Sequence, residues 1–190
     1  MKTKLLILAI AVSCTLAGNA LAMTKVEYKA EKDRISADYK AGKANCSPMK
    51  DNAKDVCMAE AKGAEKVAKA EAEAKYKPTP KNSQNVAMAK ADASYKVAKE
   101  KCDDLAGNAK DVCVKDAKAS HVRMMEDAKV AKVATDSSNT KTDKLAEAKK
   151  DANEEKREAD YKAAKERCDG LAGAAKDTCQ NDAKVKFGTK

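Results

Sequence analysis

The chain has 190 residues, 36% of them charged, with a formal charge of +9 and only 3% aromatic residues. Beyond residue 22 the large aliphatic side chains are few: Leu105, Leu145 and Leu171 are the only leucines and Ile35 is the only isoleucine. Alanine supplies most of the apolar content, and with burial worth about 25 cal/mol per Å² that composition excludes a large globular core. The positive charge favours anionic surfaces without choosing among them.

Residues 1-22 read as a cleavable signal peptide. Lys2 and Lys4 form a basic start, an apolar run follows from Leu5 to Val12, and Ala20-Leu21-Ala22 matches an Ala-x-Ala cleavage site. The run is shorter than the ~20 residues of a membrane-spanning helix, so no transmembrane helix is expected after cleavage. Val12-Ser13-Cys14 loosely matches a lipidation site, with Ala11 where a larger aliphatic is preferred. Cleavage after Ala22 would start the mature chain at Met23, remove two of the nine net positive charges and leave six cysteines. An even cysteine count and export together predict disulfides in an oxidising compartment, periplasmic or secreted.

From residue 23 a frame recurs three times: Tyr-Lys-x-Ala/Gly-Lys-x-x-Cys, then ten residues, a second Cys, and Ala-Lys four residues on. Its copies run Tyr39 to Lys62, Tyr95 to Lys118 and Tyr161 to Lys184. The first repeat, 23-77, carries an incoming face of Tyr28, Ile35, Tyr39, Cys46 and Met49. Its turn, Ser47 to Asn52, lacks glycine and is expected to differ from the other two. Pro78-Thr79-Pro80 with Lys81-Asn82-Ser83 predicts a linker over 78-85.

The second repeat, 86-135, is the most regular. Met88, Ala91, Tyr95, Ala98, Cys102 and Leu105 fall at alternating spacings of three and four, and Cys113, Ala117, Ser120, Met124, Ala128 and Ala131 form a similar stripe. Each stripe is a narrow coiled-coil-like seam. Between them Gly107 suits the C′ position of one helix and Asn108 the N-cap of the next. A weaker break at Asp136 to Thr140 predicts a linker, 136-140. The third repeat, 141-190, has Tyr161, Ala164, Cys168 and Leu171 on its incoming helix and Gly173 in the turn. No segment alternates with strand period, and Ala, Lys and Glu favour helix. Same-helix pairs Glu71/Lys75, Asp92/Lys96 and Glu158/Lys162 are expected to add a few tenths of a kcal/mol each.

Geometry assigns the cysteines. On one straight helix an 11-residue separation would place two sulfurs roughly 16 Å apart, whereas a disulfide needs Cα atoms about 5.5 to 6 Å apart. A hairpin turning between them brings them together. The expected bridges are therefore Cys46 to Cys57, Cys102 to Cys113 and Cys168 to Cys179. The fold class is all-α: an elongated array of three disulfide-tipped antiparallel αα-hairpins, strung out or stacked side by side.

Motifs for chemistry are sparse. His121 is the only histidine, so a nucleophilic triad has one candidate base with no partner fixed by the sequence; a place on or beside the hairpin seam is expected. Cysteines 11 apart do not match zinc spacing, and neither Cys-x-x-Cys nor Cys-x-x-Cys-His occurs. Glycine-rich phosphate loops are absent, and Tyr39, Tyr95 and Tyr161 lie on the seams instead of forming a base-stacking platform. No catalytic residue, metal or cofactor is assigned, and no specific nucleic acid is expected.

The Ala/Lys/Glu/Asp-rich helical segments, with the leader, resemble the periplasmic stretch of the cell-envelope protein TolA. More nearly they resemble small secreted Ala/Lys-rich proteobacterial proteins labelled TolA-like. The likeness is compositional, does not include the cysteine frame, and implies a structural or interaction role at the envelope, with an envelope protein or anionic envelope polymer as partner. Segments Ala61 to Lys77 and Ala117 to Thr135 also resemble hydrophilic late-embryogenesis-abundant stress proteins. That likeness implies a protective or chaperone-like role, although the cysteine pairs are foreign to it. Weak binding of anionic polymers such as nucleic acid or lipopolysaccharide is a third expectation.

Overall fold

A computed structural model describes residues 22–135 and 141–188. The expected leader and Cys14 lie outside these residues, as does the expected linker 136-140. Six helices follow in chain order: α1 Lys25–Cys46, α2 Asp51–Tyr76, α3 Pro80–Cys102, α4 Gly107–Ala134, α5 Lys141–Cys168 and α6 Gly173–Phe187.

Local chemistry starts and stops them. Thr24 and Glu27 form a reciprocal capping box at α1. Thr79 accepts from the Asn82 backbone N–H at 3.1 Å and Pro80 takes the first helical position. There the missing N–H costs nothing and the ring's φ already suits a helix. The linker expected over 78-85 is thus corrected: only Lys77 to Thr79 connect α2 and α3, and 80–85 are the first turns of α3. Gly188, left-handed at φ 56°, closes α6.

Each helix packs only on its neighbours in sequence: α1 on α2, α2 on α3, α3 on α4, α4 on α5 and α5 on α6. The three hairpins therefore stand side by side in a single layer of helices, whose two broad faces are open. The core is correspondingly thin. Seven of the eleven buried apolar residues are alanines, three are the cysteines Cys46, Cys102 and Cys168, and Ile35 is the one large aliphatic.

An interior helix of such a layer needs two seams, one toward each neighbour. Ala91, Cys102 and Ala128 of the stripes read from sequence are buried, but Leu105, Ser120 and Ala131 are exposed. On α4 the seam toward α3 runs through His121 in place of Ser120, because His121 stacks on Tyr95 with ring centroids 4.8 Å apart. The second seam, toward α5, contains buried Ala119 and is met by buried Ala163.

Candidate functional site

The three hairpin tips share one architecture. Bridges join Cys46–Cys57, Cys102–Cys113 and Cys168–Cys179, with Cα separations of 5.6, 5.6 and 5.7 Å. The backbone N–H groups of Met49, Leu105 and Leu171 donate to the carbonyls of Cys46, Cys102 and Cys168 at 3.1, 3.0 and 3.0 Å. Five residues after the first cysteine of each repeat comes a residue with positive φ: Asp51 at 49°, Gly107 at 53° and Gly173 at 55°. The first turn, expected to differ, adopts the same backbone. Aspartate is one of the few non-glycine residues that visits the left-handed region readily. Gly107 correspondingly opens α4 instead of following α3, and Ala106 occupies the N-cap position expected for Asn108.

The asparagine has another task. Asn52 Nδ2 donates to the Glu100 carbonyl at 2.8 Å, tying the first tip to the last turn of α3 in the next hairpin. Asn108, at the equivalent position, lies against Gly170, where a Cβ would stand 2.7 Å from its Nδ2. At the first tip the amide thus links one hairpin to the next.

Seams between hairpins repeat a charge code. In α2 and α3, Glu60 pairs with Lys101 at 3.6 Å and Glu71 with Lys90 at 2.7 Å. At the equivalent positions of α4 and α5, Asp116 pairs with Arg167 and Asp127 with Lys156. Arg123–Asp160 and Lys115–Glu166 add to the second of these seams. Between the pairs the backbones approach closely. Gly63 is buried, and a Cβ there would lie 2.9 Å from that of Ala93. Ala119 occupies the equivalent place in α4, and Val185 in α6, where it is 84% exposed. The same helix position is thus a contact in two hairpins and open surface in the third.

Inside the second hairpin, polar groups gather around the single histidine. His121 Nε2 lies 2.7 Å from Asp92 Oδ1, and its Nδ1 is buried with no hydrogen-bond partner. The carboxylate can only accept, so Nε2 carries a proton and donates it to Asp92. An Asp–His pair is part of a nucleophilic triad, but here the second ring nitrogen faces no hydroxyl or thiol that it could activate. Among the described residues no three His, Cys, Asp or Glu side chains gather as metal ligands would.

Engaging Asp92 has a consequence across the α2–α3 seam. The expected Asp92/Lys96 pair is replaced by Asp92–His121, just as Glu71 pairs with Lys90 of the next helix in place of Lys75. Lys96 is left beside Lys66, whose ammonium, with a smaller contribution from Lys62, holds it below the ordinary lysine range. Lys118 of α4 lies 5.5 Å from the ring centre of Tyr95, the residue preceding Lys96. Glu158–Lys162, the equivalent pair in the third hairpin, is formed at 2.6 Å. Its hairpin carries Phe187 where the second has His121, so no imidazole competes for the carboxylate.

At the end of the first hairpin away from its bridge, Tyr28 and Tyr76 stack with centroids 4.6 Å apart and rings 6° from parallel. The Tyr28 hydroxyl donates to Glu73 at 2.6 Å. That bond raises the tyrosine above its ordinary pKa and lowers the carboxylate below its own. Among the described residues no helix is long and apolar enough to cross a membrane. The chain matches no family model, no curated protein and no solved structure.

Proposed function

We propose that this protein is a non-enzymatic scaffold of the bacterial cell envelope, exported to the periplasm or beyond, which offers a stapled single layer of helices to partners there. One observation carries the reading: three bridged hairpins stand side by side, leaving both faces of the layer open. A globular enzyme encloses its chemistry in a concave pocket; a layer one helix thick offers extended surface instead. The disulfides fit an oxidising compartment, and the signal-like residues 1–22 supply a route to it. The compositional likeness to TolA-like proteins points the same way. Permanent bridges favour a fixed shape over a protective role that begins on drying.

The reading is tested in a bacterial host that expresses the whole chain. Intact mass of the exported protein should correspond to a start at Met23 with three intact bridges. A photo-crosslinking residue at Ala64 or Ser94, both exposed beside the α2–α3 seam, should give a discrete adduct with an envelope component. The adduct should disappear when the bridges are removed. Retention in the cytoplasm with free thiols, or the absence of any adduct at either position, would overturn it.

A further inference from the structure

We propose that the protein joins edge to edge with further copies of itself, the α6 edge of one copy packing on the α1 edge of the next as a continuation of the seams between its own hairpins. α1 and α6 are the two helices of the layer that have a neighbour on one side only. Each internal seam joins the outgoing helix of one hairpin to the incoming helix of the next, α2 to α3 and α4 to α5. α6 is an outgoing helix and α1 an incoming one, so the two open edges are the two halves of another such seam. A contact of this kind joins two different surfaces and leaves an unlike edge at each end for a further copy. It goes beyond the envelope reading and does not depend on it, because it needs neither a compartment nor another partner.

Equivalent positions in the three repeats carry the match. Six residues after the second cysteine stand Gly63, Ala119 and Val185, and five before the first stand Ala41, Val97 and Ala163. Gly63 and Val97 line one internal seam, Ala119 and Ala163 the other. The first seam thus sets glycine against valine and the second alanine against alanine. The open edges reverse the first arrangement, with Val185 on α6 and Ala41 on α1. Such an exchange nearly conserves combined volume, the kind of change that packed contacts tolerate. Val185 is 84% exposed and Ala41 is exposed too, whereas Val97 is half-buried in its seam.

Polar groups follow the same register. Asp182 holds the acid position of Glu60 and Asp116. Asn45 stands where Lys101 and Arg167 meet those acids, and its amide can donate to a carboxylate. Arg34 holds the cation position of Lys90 and Lys156. Gly188 closes α6 before it reaches the acid position of Glu71 and Asp127, and Arg34 is satisfied inside α1 by Glu31 and Asp38, each at 2.6 Å. The contact is therefore confined to the 15 residues of α6 and belongs to the small, reversible class of interface.

Sedimentation velocity on the whole oxidised chain, as a bacterial host delivers it, should show a weight-average coefficient that rises with concentration past the value of a dimer. Val185→Lys puts a charge on the α6 edge and Ala41→Lys puts one on the α1 edge. Both positions are exposed in the single copy, so each variant should keep its helicity and its bridges. Alone, each should associate more weakly by about tenfold or more, since an unpaired charge would be buried in the contact. An equimolar mixture of the two is the decisive arm. The first variant retains an intact α1 edge and the second an intact α6 edge, so the mixture should recover association and stop at a dimer. A photo-crosslinking residue at Val185 should map to α1 of a second copy around Ala37 and Ala41, and this arm adds no charge. Monomer at every concentration up to about 1 mM, a mixture of folded variants that does not associate, or crosslinks from position 185 to α6 of the second copy would overturn the proposal.

Discussion

The seams inside the hairpins and the seams between them are built from different chemistry. Within a hairpin, a covalent bridge at the tip is joined by aromatic and hydrogen-bonded contacts: Tyr28 with Tyr76 and Glu73 in the first, Tyr95 with His121 and Asp92 in the second. Between hairpins there is no bridge; small residues let the backbones approach, exposed ion pairs flank the contact, and Asn52 donates to the Glu100 carbonyl of the next hairpin. Exposed pairs contribute about 0–1 kcal/mol each. In the chain-entropy account a bridge closing a loop of this size contributes about 3 kcal/mol. The covalent constraint therefore lies within each hairpin, and the layer is an assembly of such units in which each contacts only its neighbours.

The sharpest way to break this contrast is to remove a staple. Cys102→Ser with Cys113→Ser should cost about 3 kcal/mol and loosen the second hairpin, while the first and third keep their own bridges. Hydrogen exchange from Met88 to Met124 reads the loss, and unchanged protection there would show that packing alone holds the hairpin. Next in size is the closest approach between hairpins. Gly63→Val inserts a branched side chain where even a Cβ meets Ala93 at 2.9 Å, and overpacking of this kind costs about 1–3 kcal/mol. Denaturation midpoints should fall, and peptide mapping should show the bridges Cys46–Cys57 and Cys102–Cys113 intact.

A smaller effect is expected at a tip. A Cβ on Gly107 would meet nothing within 4 Å, so Gly107→Ala isolates the cost of a left-handed backbone, about 1–2 kcal/mol, measurable by urea titration. Smallest is the pH response of the Tyr28–Glu73 bond. Glu73 is depressed, so its contribution is present above the ordinary glutamate value of 4.5 and is lost as pH falls through the lowered value. Tyr28 is raised, so its contribution is present below the ordinary value of 10.0 and is lost as pH climbs through the raised one. Tyr28→Phe keeps the stack on Tyr76 and should flatten both limbs of the stability profile.

The parts of this architecture legible in the sequence are those set by covalent or short-range rules. Three cysteine pairs 11 residues apart admit a bridge only through a tight reversal, which defines the hairpins. Pro80 illustrates how punctuation misleads: beside Thr79 it is a helix start, although its residue type alone reads as a linker. Asp51 hides a left-handed turn because aspartate carries no glycine signal. The second seam of each interior helix escapes hydrophobic periodicity because it is made of Gly63, Ala93, Ala119 and Ala163 with flanking charges. Asp92 is misassigned for a related reason: the rule for neighbours one turn apart considers a single helix, and His121 approaches from another.

Distances between labels within and across hairpins test the two-seam account most directly. Spin labels on noncanonical residues at Ser94 and Ser120, which are exposed on α3 and α4, report the stapled seam. Labels at Ala64 and Ser94 report the seam between α2 and α3. Raising the salt screens the exposed ion pairs and leaves disulfides untouched, so the Ala64–Ser94 distribution should broaden while Ser94–Ser120 stays narrow. Broadening of Ser94–Ser120 first, or equal resistance of both pairs to salt, would contradict it.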